Sequence, residues 1–139
     1  QKASNKVDGV LAANDGLGNA AISALKQRKL KQIPVTGQDA ELAGVQRILL
    51  GEQYMTVYKA IKPQAEAAAS LALALARGEK PKSGLINGET DNGMKQVPSV
   101  LLTPIAVTAD NVADTVGFLK VADLCTGRYA AACTKAGIS

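Results

Sequence analysis

At 139 residues, 47% of them apolar and 20% charged, the chain has the size and composition of one modest globular domain, which excludes a disordered or low-complexity segment. The net charge of +4 is spread along the sequence and gathers only at Lys26, Arg28, Lys29 and Lys31, a cluster better suited to the solvated C-terminal end of a helix than to nucleic acid. With no histidine or tryptophan, three tyrosines and one phenylalanine, the chain argues against hydrolytic triads, zinc sites and sites built on stacking, and calls for no metal or cofactor.

A first buried strand is predicted over Val7 to Ala13, its apolar run ending in the polar corner Asn14-Asp15. Beyond it, Leu17, Ala20, Ala21, Ala24 and Leu25 recur at helical spacing, with Asn14 or Asp15 able to cap the first turn. Ile33-Pro34-Val35-Thr36 is the next strand, followed by a second corner, Gly37-Gln38-Asp39. Leu42, Val45, Ile48 and Leu49 mark a second helix, closed at Gly51. Met55-Thr56-Val57-Tyr58 is a third strand with Lys59 at its corner, and a third helix runs from Pro63 through Ala76 to Arg77-Gly78. The longest apolar stretch, Ala67 to Ala76, is too short to span a membrane.

This alternation predicts an α/β fold with a parallel sheet sandwiched by helices. From Glu79 to Pro98 the spacing of Gly and Pro predicts a long polar loop, with Leu85-Ile86 as a short edge strand. Val100 to Val107 is a further extended segment, Asp110 starts a short helix, and Val121 to Gly137 is mostly helical with a break at Thr126-Gly127. Cys125 and Cys133 match no common zinc spacing; either they bridge, which implies an exported protein, or they are two buried thiols, and the bridge is favoured.

In open parallel sheets ligands bind beyond the carboxyl ends of the strands, and neighbouring strands lie about 4.8 Å apart. Asn14, Gln38, Asp39 and Lys59 sit at three such ends. Together they offer the amide, carboxylate and ammonium groups that a polyhydroxylated ligand needs. A rival pattern is Gly16-Leu17-Gly18-Asn19-Ala20-Ala21, which matches a dinucleotide fingerprint, with Asp39 at about the distance of a ribose-binding acid. Against it stands Asp15, whose charge at the helix N-terminus repels a pyrophosphate; Gly16 and Gly18 then serve a tight turn and close helix–strand packing.

The series Val10-Leu11-Ala12-Ala13-Asn14-Asp15, Val35 to Ile48 with Gly37-Gln38-Asp39-Ala40, Met55 to Lys59, and Val97 to Ile105 resembles the C-terminal part of sugar-binding proteins of ATP-binding-cassette importers, D-xylose-binding type. Four motifs in the family's order cover about residues 7 to 118. The resemblance implies a periplasmic-binding-protein type I lobe, here incomplete. Residues 1–107 would belong to the C-terminal sugar-binding lobe, and 108–139 to the hinge return and a helical tail that packs on an N-terminal lobe absent from this sequence.

It further implies a non-enzymatic, exported protein, periplasmic or cell-surface anchored. Two lobes would close on a monosaccharide, an aldopentose such as xylose, and deliver it to a membrane permease. Asn14, Asp39 and Lys59 would be polar sugar ligands, with Gln38 lining the pocket and Asp15 capping and steadying its corner. The absent lobe would supply the stacking aromatics. The alternatives are the ligand-binding core of a sugar-responsive transcription regulator, which shares the fold, and a dinucleotide-dependent enzyme. The start at Gln1 to Asn5, without Met, is read as the start of a piece of a longer product.

Overall fold

A computed structural model describes residues 6–138; the opening residues 1–5, on which the expectation about the chain start rests, lie outside the described residues. The chain forms two compact units. One runs to Tyr58 and resumes at Ile105, and the other is Lys59–Pro104.

The first unit is a succession of extended segments with helices between them. Val10 pairs with Val35 in a single parallel bridge, through Val10 N–H to Pro34 O (2.9 Å) and Thr36 N–H to Val10 O (3.0 Å). The two predicted strands around these residues do not extend into a ladder. Pro34 has no N–H to contribute, and the Thr36 hydroxyl takes the Ala12 N–H at 3.0 Å, where a carbonyl would continue the pattern. The succession continues in parallel, because Tyr54 N–H donates to Val35 O (2.9 Å) and Asp39 N–H to Val57 O (3.0 Å). Strand β1 (Met55–Tyr58) then pairs antiparallel with β4 (Ile105–Thr108), in the register Met55↔Thr108 to Tyr58↔Ile105.

Helix α1 (Asp15–Gln27) follows the first corner, and α2 (Leu42–Leu49) follows the second with the predicted bounds. Gly18 lets α1 approach closely, since a Cβ there would lie 2.9 Å from Thr36 O. The basic cluster falls at the end of α1, where Lys26 pairs with Glu52 at 2.6 Å and Lys29 turns the chain with φ 53°. The main core joins Val45 and Ile48 of α2 to Val107, Val112, Val116, Leu124 and Cys133, all nearly or fully closed to solvent.

The tail therefore has a buried side within this unit. It comprises the short helices α4 (Val112–Thr115), α5 (Val121–Leu124) and α6 (Ala130–Lys135), with a 3-10 turn at Gly127–Tyr129. Gln46 Nε2 donates to the carbonyls of Asp123 and Leu124, tying α5 to α2. Phe118 stacks on Tyr58, with ring centroids 3.9 Å apart. Cys125 and Cys133 form a disulfide.

In the second unit, α3 (Ile61–Ala76) buries no residue and leaves Ile61, Leu73 and Leu75 exposed. Its Ala- and Leu-rich sequence sustains the helix by propensity. The predicted polar loop instead contains a hairpin, β2 (Gly88–Asp91) with β3 (Gln96–Ser99). Its turn is built by side chains: Asp91 Oδ1 accepts from Gly93 N–H, and Asn92 Oδ1 accepts from the N–H groups of Met94 and Lys95. Gly93 supplies the positive φ of 84°. Leu85 is not in a strand; its N–H closes a turn on Lys82 O, with Gly84 at φ 78°, and pairing begins only at Gly88. The extended segment from Val100 becomes a strand only after Pro104, at Ile105.

Candidate functional site

The first two corners are fastened to each other at the carboxyl ends of the parallel succession. Asp15 N–H donates to Gln38 O at 2.9 Å, and Gln38 Nε2 returns a bond to Ala13 O at 3.2 Å. Asn14, Gln38 and Asp39 are thereby held on one edge, with Asp39 exposed and the other two partly so.

Asn14 is the N-cap of α1, its Oδ1 accepting from Leu17 N–H at 2.8 Å. A cap of this kind contributes about 0.5–2 kcal/mol. The side chain thus has a structural duty at its oxygen and presents its amide N–H groups as donors. The same bond occupies the first-turn N–H that a phosphate cradle would need.

Asp15 does not cap; it is the first helical residue, and its carboxylate turns inward to full burial. Oδ1 accepts from Gln53 Nε2 at 2.7 Å and Oδ2 from Glu41 N–H at 2.9 Å. Charge-assisted bonds and the positive end of α1 offset the cost of burying this charge. Gln53 in turn accepts from Arg47 Nε at 2.9 Å, and the guanidinium also reaches Asp15 O at 3.0 Å and Asn19 Oδ1 at 3.4 Å. Every buried donor of Arg47 therefore faces an acceptor, as a guanidinium only 7% exposed requires.

Two glycines make room for this carboxylate. A Cβ at Gly37 would lie 2.0 Å from Asp15 Oδ1, and one at Gly44 would lie 2.2 Å from Oδ2.

The second corner is strained. Asp39 has φ 93° and Ala40 φ 50°, consecutive non-glycine residues in a region that costs on the order of 1–3 kcal/mol each. Three successive N–H groups hold it: Asp39 to Val57 O (3.0 Å), Ala40 to Thr56 Oγ1 (3.1 Å) and Glu41 to Asp15 Oδ2 (2.9 Å).

Lys59 opens the second unit. It is exposed and borders a hollow of ≈ 230 Å³ with Gln64, Val100, Leu102 and Thr103. In the first unit, a solvent-open groove of ≈ 710 Å³ runs beside the fastened corners, lined by Leu11, Ala13, Gln38, Met55 and Val57. Among the described residues, no cluster of His, Cys, Asp and Glu is arranged to hold a metal ion. No described helix is long and apolar enough to cross a membrane.

Sequence reasoning found the exposed polar groups and missed the buried ones behind them. Gln53, Arg47, Thr56, Gly37 and Gly44 carry no periodic signal of their own. One hint was present: a glycine inside the amphipathic helix Leu42–Leu49 has no reason to be there unless something approaches closely.

Comparison with known proteins places the chain among binding proteins. A model of the "Periplasmic binding protein domain" family matches residues 1–80. The chain is 46% identical over 124 residues to the D-xylose-binding periplasmic protein of Escherichia coli (strain K12), covering 86% of this chain and 37% of that protein. It is 45% identical over 113 residues to the D-xylose-binding periplasmic protein of Haemophilus influenzae, covering 81% and 33%. Among solved structures, it superposes on a carbohydrate transporter solute binding protein from Chloroflexus aurantiacus in complex with D-glucose. The TM-score is 0.72 at 35% identity, over 83% of this chain and 34% of that one. The chain thus spans about a third of the length of the relatives it matches.

Proposed function

The chain belongs to the periplasmic binding protein domain family, with the type I fold of its structural neighbours, and from that premise we propose that it is the C-terminal portion of the substrate-binding component of an ATP-binding-cassette sugar importer. Its ligand is a monosaccharide, xylose or a related aldopentose, bound between two lobes and passed to the membrane permease. The observation that carries this reading is the fastened edge at which Asn14, Gln38 and Asp39 stand together, with two hydrogen bonds locking one corner to the other.

In the proposed site Asp39 accepts from two sugar hydroxyls, and Lys59 donates to a hydroxyl or the ring oxygen. Asn14 donates through its amide while its oxygen caps α1, and Gln38 lines the pocket. Charge-assisted bonds of this kind contribute about 1.5–3 kcal/mol each when water is excluded. The remaining ligands and the stacking aromatics come from an N-terminal lobe, against which the outer side of the tail docks. Ligand bridging the lobes shifts an open–closed equilibrium toward the form the permease recognises. The protein performs no chemistry on the sugar and works outside the cytoplasm. The disulfide supports that compartment, and it weighs against an intracellular regulator with the same fold.

The test is a thermal-shift series on the complete protein with pentoses, hexoses and NAD. Sugar at about 100 times its dissociation constant adds roughly 2.7 kcal/mol of stability. A shift with NAD and none with any sugar overturns the reading. Asp39→Ala abolishes the sugar shift and leaves the unliganded melt nearly unchanged; a large loss of unliganded stability makes Asp39 a structural residue instead.

A further inference from the structure

Asp39 stands on a backbone that does not hold its shape by itself. Its own φ of 93° and the φ of 50° at Ala40 lie where L residues with a Cβ rarely stay unless their surroundings over-determine them. Those surroundings are three acceptors on two other parts of the unit, each taking one of three successive N–H groups: Val57 O, Thr56 Oγ1 and Asp15 Oδ2. The first is main chain and is fixed by the strand. The other two are side chains, and both are wholly buried. Neither can reach a ligand, so neither is a candidate for direct contact.

We propose that Thr56 and Asp15 are positioning residues for the ligand carboxylate of Asp39. They hold the left-handed turn Asp39-Ala40 in its binding geometry before sugar arrives. This rests on the sugar-binding reading of Asp39. A binding group fixed in advance spares the complex the cost of ordering it, so the effect of the pair is felt in affinity as well as in stability. Thr56 is the sharper of the two, because its hydroxyl accepts from Ala40 N–H at 3.1 Å and, among the described residues, is the side-chain acceptor there. Asp15 also serves Gln53, and removing it disturbs more than the turn.

The experiment uses the complete protein, with D-xylose and D-glucose titrated calorimetrically and amide exchange followed at residues 39–41. Thr56→Val keeps the shape and removes the acceptor. Its expected result is roughly a tenfold or greater loss of sugar affinity, the scale of a small misplacement of a binding group, with faster exchange at Ala40. Thr56→Ser restores both. Asp15→Asn, which keeps one carbonyl oxygen, gives a second reading of affinity should Thr56→Val fold poorly. If wild-type protein binds sugar and these variants bind it as tightly, with only their melting temperatures lowered, the residues are structural alone and the proposal is overturned. If wild-type protein binds neither these two sugars nor any other in the pentose and hexose series, the sugar reading itself falls and takes this one with it.

Discussion

Asp15 Oδ1 lies 2.7 Å from Gln53 Nε2, and this bond ties the first turn of α1 to the segment entering β1 in a place closed to solvent. Asp15→Ala removes it together with the bond to Glu41 N–H, leaving the part-buried Glu41 N–H and one N–H of the buried Gln53 amide unpaired, while Gln53 Nε2 keeps its bond to Met55 O at 3.1 Å. The expected loss is about 2–5 kcal/mol of unfolding free energy, read from urea denaturation followed by circular dichroism. A loss below about 1 kcal/mol would show that water replaces the carboxylate and that the network is dispensable.

Gly44 tests the same carboxylate from the other side. Within a helix, Gly→Ala ordinarily stabilises by about 1 kcal/mol. Here the new methyl group would sit 2.2 Å from Asp15 Oδ2, on a side chain that is short, buried and bonded at both oxygens. The sign therefore inverts, and Gly44→Ala lowers stability by about 1–3 kcal/mol. A rise in the urea midpoint would mean that the carboxylate moves aside freely.

The two duties assigned to Asn14 can be separated by substitution. Asn14→Asp keeps an oxygen for Leu17 N–H and places a charge at the helix start, so unliganded stability holds. It loses the amide donors, so sugar affinity falls. Asn14→Ala loses both, with about 0.5–2 kcal/mol taken from unfolding. Equal sugar affinity for wild type and Asn14→Asp would remove Asn14 from the ligand set.

The disulfide closes a loop with a sequence separation of 8, for which chain entropy gives a contribution of about 2–3 kcal/mol. Cys125→Ser/Cys133→Ser is expected to lose that much on unfolding. Alkylation with and without reductant, read by mass spectrometry, checks that the bridge is present. Since Cys133 shares the core with Val45 and Ile48 of α2, the loss exceeds the entropic figure if the hydroxyl at position 133 finds no partner.

What could be read from the chain was what periodicity writes into it. α2 and β1 have the predicted bounds, because apolar spacing in Leu42–Leu49 and the β-branched run in Met55–Tyr58 each repeat a signal. The corners were visible as polar punctuation between apolar runs. The hairpin Gly88–Ser99 was not, although Asp91-Asn92-Gly93 is a strong turn signal; its strands carry Pro98 and alternating charges that read as loop. The strands around Val10 and Val35 shrank to a bridge because a threonine hydroxyl replaced a carbonyl in the ladder, a substitution that no hydrophobic pattern records. The support beneath Asp39 was hidden for a related reason: it consists of single side chains from distant segments that meet only after folding.

The pairing of Tyr58 with Ile105 at the end of the β1–β4 register makes the whole stretch Lys59–Pro104 an excursion whose exit and entry are neighbours. Such a stretch is a cassette. Beyond Lys59 it can change length without re-threading the unit that carries Asn14 and Asp39, because the chain re-enters on β4, the strand paired with the one it left. The stretch after Lys59 is thereby free to diversify while the polar edge of Asn14, Gln38 and Asp39 keeps its shape, and the boundary for grafting is a hydrogen-bonded strand pair.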